Sequence, residues 1–125
     1  MRRKMLLYAG GILTFCFALL HASFWKLGNW NAELLRISAD NKGIVEMLNI
    51  ASIYMLLFAV FVSFYLAKKT VFTFTEKALI LFIAGYYLLR IAFGVPLFGV
   101  CGQEIVIWIA CLAVASCYLF ALRPE

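Results

Sequence analysis

Six side chains stand out as able to do chemistry: His21, Glu46, Asn49, Tyr86, Arg90 and Glu104. They lie in or beside strongly apolar stretches. There a charged group costs roughly 2.5–3.5 kcal/mol at mid-membrane and less near the edges, so such groups turn inward and pair. Arg90 follows Tyr86 and Tyr87 by four and three residues, which places all three on one side of a helix. Together the six describe a polar ligand pocket. In it Arg90 holds an anionic group, His21 and Glu46 tune or relay a proton, Asn49 and Tyr86 orient the ligand, and Glu104 adds a second carboxylate.

Other chemistries fit less well. A single histidine excludes haem held by two. Cys16, Cys111 and Cys117 fall inside apolar runs and Cys101 in a predicted loop, with no CxxC or Cys/His metal spacing. Zinc would have to take His21, Glu46 and Glu104, with no motif spacing behind them, so no metal site is assigned. A triad of Ser23 or Ser52 with His21 and Glu46 has no evident oxyanion hole. The cofactor is left unknown, and so is whether any reaction follows binding.

The elements that must position these groups come from hydropathy. Of 125 residues 66% are hydrophobic, and the mean hydropathy is +1.01. About half would be usual for a soluble domain, and a chain this short cannot enclose such a surface in water. The expected fold is all-α: an integral membrane four-helix bundle forming one domain over residues 1–125. Its helices are expected at approximately 5–25, 44–67, 76–95 and 104–122. After Gly43 the second run has one charge, Glu46, and its 23 residues would reach about 35 Å, enough to cross a hydrocarbon core of about 30 Å. Small or polar residues recur along Glu46, Asn49, Ser52, Ala59, Ser63 and Ala67, and along Gly10, Thr14, Ala18 and Ala22. Such stripes let membrane helices approach closely.

Local signals mark the ends of these runs. Thr73 to Glu76 matches a capping box, and the turn before it is short, which predicts that the second and third spans are antiparallel neighbours. Pro96 is expected to end the third span near Val95. Ser38 or Asn41 can cap the second. Between the first two spans, Trp30, Leu34 and Ile37 are spaced for a short interfacial helix that could act as a lid. Arg2, Arg3 and Lys4 before an apolar run imitate a secretory leader. The run is too long for one and lacks its cleavage-site pattern, so it reads as a retained first span.

The net charge of +5 is distributed as topology signals at the ends of apolar runs, not as a nucleic-acid surface, so no nucleic-acid partner is expected. Placing both termini in the cytoplasm puts seven Lys and Arg there: Arg2, Arg3, Lys4, Lys68, Lys69, Lys77 and Arg123. Three, Lys26, Arg36 and Lys42, fall outside. Five of the polar residues, His21, Glu46, Asn49, Arg90 and Glu104, then fall at one depth near the outer leaflet, with Tyr54 and Tyr86 deeper. The reading is a small protein of the plasma membrane, taken as a bacterial inner membrane, that binds an amphipathic or anionic small molecule or lipid. Its partners are the lipid bilayer, such a ligand, and a second copy of the chain if it forms a homo-oligomer. The alternatives are a non-catalytic accessory or oligomeric subunit, in which Arg90 and a glutamate only fix helix register, and a small transporter.

Overall fold

The computed structural model describes residues 1–123. Among these, four helices are long and apolar enough to cross a membrane: α1 (Arg2–Ala22), α4 (Ala39–Leu66), α5 (Phe74–Phe98) and α6 (Gly102–Ala121). Two single turns, α2 (Phe24–Leu27) and α3 (Trp30–Glu33), and a 3-10 turn at Leu34–Arg36 join α1 to α4. Arg3 ties one end of the bundle together. Its Nη1 donates to the Thr70 carbonyl at 2.8 Å and its Nε to the Ala121 carbonyl at 3.2 Å, so the start of α1, the end of α6 and the α4–α5 connection lie together.

α1 is the spine. It packs extensively on α4 and on α6, and α6 packs on α5, whereas α4 and α5 scarcely touch. The expected neighbour relation of the second and third spans is thus reduced to a seam. The reason lies in α1, where adjacent glycines serve two partners. A Cβ on Gly11 would stand 2.7 Å from the Phe64 ring of α4, and one on Gly10 3.1 Å from the Tyr118 ring of α6. These bare positions draw both neighbours onto α1, while α5 packs closely on α6 and meets α1 through the Tyr87 side chain. Only 28–33% of the apolar window of each long helix is buried. The remaining faces carry exposed Phe58, Phe61, Phe82 and Phe93, a surface that lipid solvates and water does not.

Each long helix also places one hydroxyl in the core. Tyr87 donates to Thr14 Oγ1 at 3.0 Å, Thr14 lies 3.0 Å from Tyr118 Oη, and Tyr118 lies 2.7 Å from Ser63 Oγ. Ser63 donates to the Ala59 carbonyl at 2.6 Å. That last bond sets every direction: Ser63 must accept from Tyr118, which must accept from Thr14, which accepts from Tyr87. All four side chains are fully buried, and α5, α1, α6 and α4 are stitched in that order.

The helix ends differ in places from expectation. The capping box forms, with Thr73 Oγ1 accepting from the Glu76 amide and the Glu76 carboxylate from the Thr73 amide. Ser38 caps α4 through the Asn41 amide at 3.3 Å, so that helix starts at Ala39, earlier than 44. Pro96 does not stop α5, which continues to Phe98 and ends at Gly99 with φ 73°. A proline this close to a C-terminus removes only one of the last backbone bonds, and the chain ends where glycine accommodates a left-handed φ. The segment between α1 and α4 is not one helix. Gly28 and left-handed Asn29 (φ 47°) split it, and a Cβ on Gly28 would stand 2.7 Å from the Trp30 ring folded back on it.

Candidate functional site

At the end opposite Arg3, the sparse α4–α5 contact leaves a cavity of about 800 Å³, within the range of small-molecule sites. His21, Tyr86, Arg90 and Glu104 line it, together with Ser52 and Leu56 of α4 and the rings of Phe24 and Trp30. Trp30 reaches that position because the Gly28–Asn29 turn folds the chain back. Its ring then packs on Phe24 (centroids 5.8 Å apart) and edge-on to Trp25 (5.4 Å).

Arg90 of α5 and Glu104 of α6 meet at 2.7 Å between Nη2 and Oε1. Glu104 is 6% exposed, and the guanidinium lies 4.8 Å from the centroid of the Phe98 ring. The turn that carries Phe98 exists because α5 runs through Pro96. Three polar atoms beside this pair are buried without a partner: Arg90 Nη1, Glu104 Oε2 and the indole Nε1 of Trp108. All three converge on Gly94. A Cβ there would lie 2.6 Å from Nη1, 2.6 Å from the indole nitrogen and 3.2 Å from Oε2. Gly94 is what lets the three crowd together.

Asn49 holds His21 twice. Its Nδ2 donates to the His21 carbonyl at 2.9 Å, and its Oδ1 lies 2.8 Å from His21 Nδ1. With the amide so oriented, Nδ1 carries the proton, and neutral His21 keeps Nε2 as an acceptor. Asn49 is buried between α1 and α4 and does not line the cavity. Glu46 does not line it either, because the Trp25 indole covers its carboxylate, with Nε1 3.4 Å from Oε1. Tyr54 is 76% exposed on the outer face of α4, not deep in a pocket. Of the six residues, four therefore share the cavity, one positions His21, and one sits at the α1–α2 corner.

The serines of the hydrolytic arrangement are otherwise engaged. Ser23 donates to the Leu19 carbonyl and Ser52 to the Leu48 carbonyl, at 2.8 and 2.9 Å, while His21 faces an amide and not a carboxylate. The four cysteines are free thiols. Sequence reasoning missed Trp108 and Gly94. Their signal is spacing: Gly94 stands four residues after Arg90, and Trp108 four after Glu104.

At the Arg3 end a smaller hollow of about 310 Å³ is lined by Arg3, Lys4, Lys68 and Lys69. Lys69 pairs with Glu76. The hydrogen bond to that carboxylate, with a lesser contribution from Tyr65, raises the Lys69 pKa above its ordinary value.

Fold and site together define an all-helical chain of the multi-pass membrane class, with four apolar helices around a core that is polar at one end. No protein-family model, curated protein or solved structure matches the chain.

Proposed function

We propose that this chain is a small multi-pass protein of the plasma membrane that holds an amphipathic molecule in the cavity between α1, α4, α5 and α6. The termini are cytoplasmic, and the His21 end lies at the outer leaflet, as the excess of Lys and Arg at the opposite end favours. One observation carries the reading. A cavity of about 800 Å³ with a largely apolar wall is bordered by the ion pair of Arg90 and Glu104. A charged pair on a largely apolar wall is where a polar head would be held. Arg90 and Glu104 read that head, His21 offers a further acceptor, and Tyr86 shapes the wall.

Native mass spectrometry of gently extracted protein tests this. The wild type should carry a small molecule that Arg90→Ala releases while thermal melting still reports a folded protein. A wild type that carries nothing, with Arg90→Ala lowering stability alone, would return the ion pair to a register lock between α5 and α6 and favour the accessory-subunit reading.

A further inference from the structure

At the end of the bundle away from His21, basic residues from two distant parts of the chain meet around one hollow. Arg3 and Lys4 come from the first turn of α1, and Lys68 and Lys69 from the turn that follows α4. The buried Leu66 and Ala67 supply the apolar part of the lining. We infer that this hollow of about 310 Å³ holds a phosphate group of net negative charge, carried by a lipid head or free in solution.

Charge balance comes first. Lys69 is paired with Glu76, the one acidic side chain at this end among the described residues. Lys4 and Lys68 form no ion pair with any described residue. Membrane topology asks that such cations lie on one side, not that they converge. Lys77 meets that requirement from an exposed position on α5, outside the hollow. The carboxyl end of α4 favours the lysines that follow it, whereas the amino end of α1 disfavours Lys4. Cations gathered around one concavity focus a positive potential, which a bound anion relieves.

Geometry comes second. The Arg3 guanidinium donates to the Thr70 and Ala121 carbonyls and lies 4.8 Å from the centroid of the Phe72 ring, so the wall it forms is fixed before anything binds. Lys69 is held in the same way, between Glu76 and the Tyr65 ring. Lys4 and Lys68 are exposed, long and flexible, and can close on an oxygen-rich anion. Basic pockets between membrane helices are where phosphate heads are taken up. The volume is at the small end of ligand sites and suits a phosphate with its adjoining carbons.

The test uses purified full-length protein in neutral detergent. It is offered equimolar dioleoyl phosphatidylglycerol and phosphatidylcholine, and bound lipid is read by native mass spectrometry. Thermal melting with and without inorganic phosphate, at constant ionic strength, is the second arm. A lysine beside a phosphate head is worth about fivefold in affinity. With two, phosphatidylglycerol should be retained about 25-fold over phosphatidylcholine, and Lys4→Gln or Lys68→Gln should each cut that ratio about fivefold. The double variant should show no preference, and all three should melt near the wild type in lipid-free detergent. Lys77→Gln removes the same charge outside the hollow and should leave the ratio unchanged. Protection by inorganic phosphate that the double variant loses would assign the free ion as the source, and lipid selectivity without it would assign the head group. Neither anion being preferred would overturn the inference. So would a Lys77→Gln effect as large as that of Lys68→Gln, because the attraction would then belong to the whole face. The cavity at the His21 end is untouched by these variants, so its reading stands or falls separately.

Discussion

Tyr118 Oη stands 2.7 Å from Ser63 Oγ and, on its other side, 3.0 Å from Thr14 Oγ1. The tyrosine thus donates to α4 and accepts from α1, and is the middle link of a chain whose end, Tyr87, only donates. The two phenols should respond unequally to loss of the hydroxyl. Tyr118→Phe strands a buried donor on Thr14 and is expected to cost about 1–3 kcal/mol. Tyr87→Phe leaves only an acceptor with one lone pair unused and should cost about 0.5–1.5 kcal/mol. Chemical or thermal denaturation in detergent measures both, and equal losses would contradict the directions assigned to the chain.

The ion pair makes a second comparison. Removing one partner of a fully buried pair costs about 3–5 kcal/mol. Arg90 is 30% exposed, so water and headgroups soften the loss, and Arg90→Ala should cost about 2 kcal/mol. Replacing both partners, as Arg90→Leu with Glu104→Leu, should restore stability to within about 1 kcal/mol of the wild type. The same double variant should hold no ligand, which separates the pair's part in binding from its part in folding.

Gly94→Ala tests the close approach beside that pair. The added methyl would press on both the Arg90 guanidinium and the Trp108 indole at 2.6 Å. Arginine can swing away, but an indole packed between helices moves less easily. A loss of about 1–3 kcal/mol is expected, along with a shift in tryptophan emission as Trp108 is displaced. Gly85→Ala, where an added Cβ meets nothing within 4 Å, is the control and should be neutral or slightly stabilising.

Topology can be read with thiol reagents. Cys101 is exposed in the turn between α5 and α6, and Cys16 is exposed on the apolar face of α1. A membrane-impermeant maleimide added to intact cells should label Cys101 and not Cys16, which lipid covers. Labelling of Cys101 only after lysis would invert the orientation proposed for the bundle.

Lys69 supplies a pH dependence. Its pKa is raised by the bond to Glu76, so the contact favours the charged amine. The stabilisation is fully present below the ordinary lysine pKa of about 10.4. It fades as pH rises through the higher folded value. Melting temperature should be flat with respect to this group near neutrality and fall more steeply in strong alkali for the wild type than for Lys69→Ala.

The spans were legible because lipid imposes long apolar runs, and the start of α5 because Thr73 and Glu76 form a local, reciprocal cap. Ends that depend on tertiary context were not. Pro96 stops a helix by rule, yet the chain beyond it still had a ring to lay against Arg90. Glu46 and Asn49 are three residues apart and looked equivalent. Only packing against α1 decided that Asn49 would grip His21 and that Glu46 would sit under Trp25. Tyr54 lies five residues beyond Asn49, far enough round α4 to face outward. The buried hydroxyls were hidden for another reason: Thr14 and Ser63 each pass for small packing residues until their partners on other helices are known. Trp108 reads as one more apolar residue unless Gly94 is seen to have made room for it.

The seam where α4 and α5 part has a bearing on how affinity should be expressed. An amphipathic guest that reaches the cavity from the bilayer would not pass through bulk water, so its effective concentration would be its share of the surrounding leaflet. Titrations against total concentration would then mislead, since diluting the guest among inert lipids weakens occupancy while adding more bilayer of fixed composition does not.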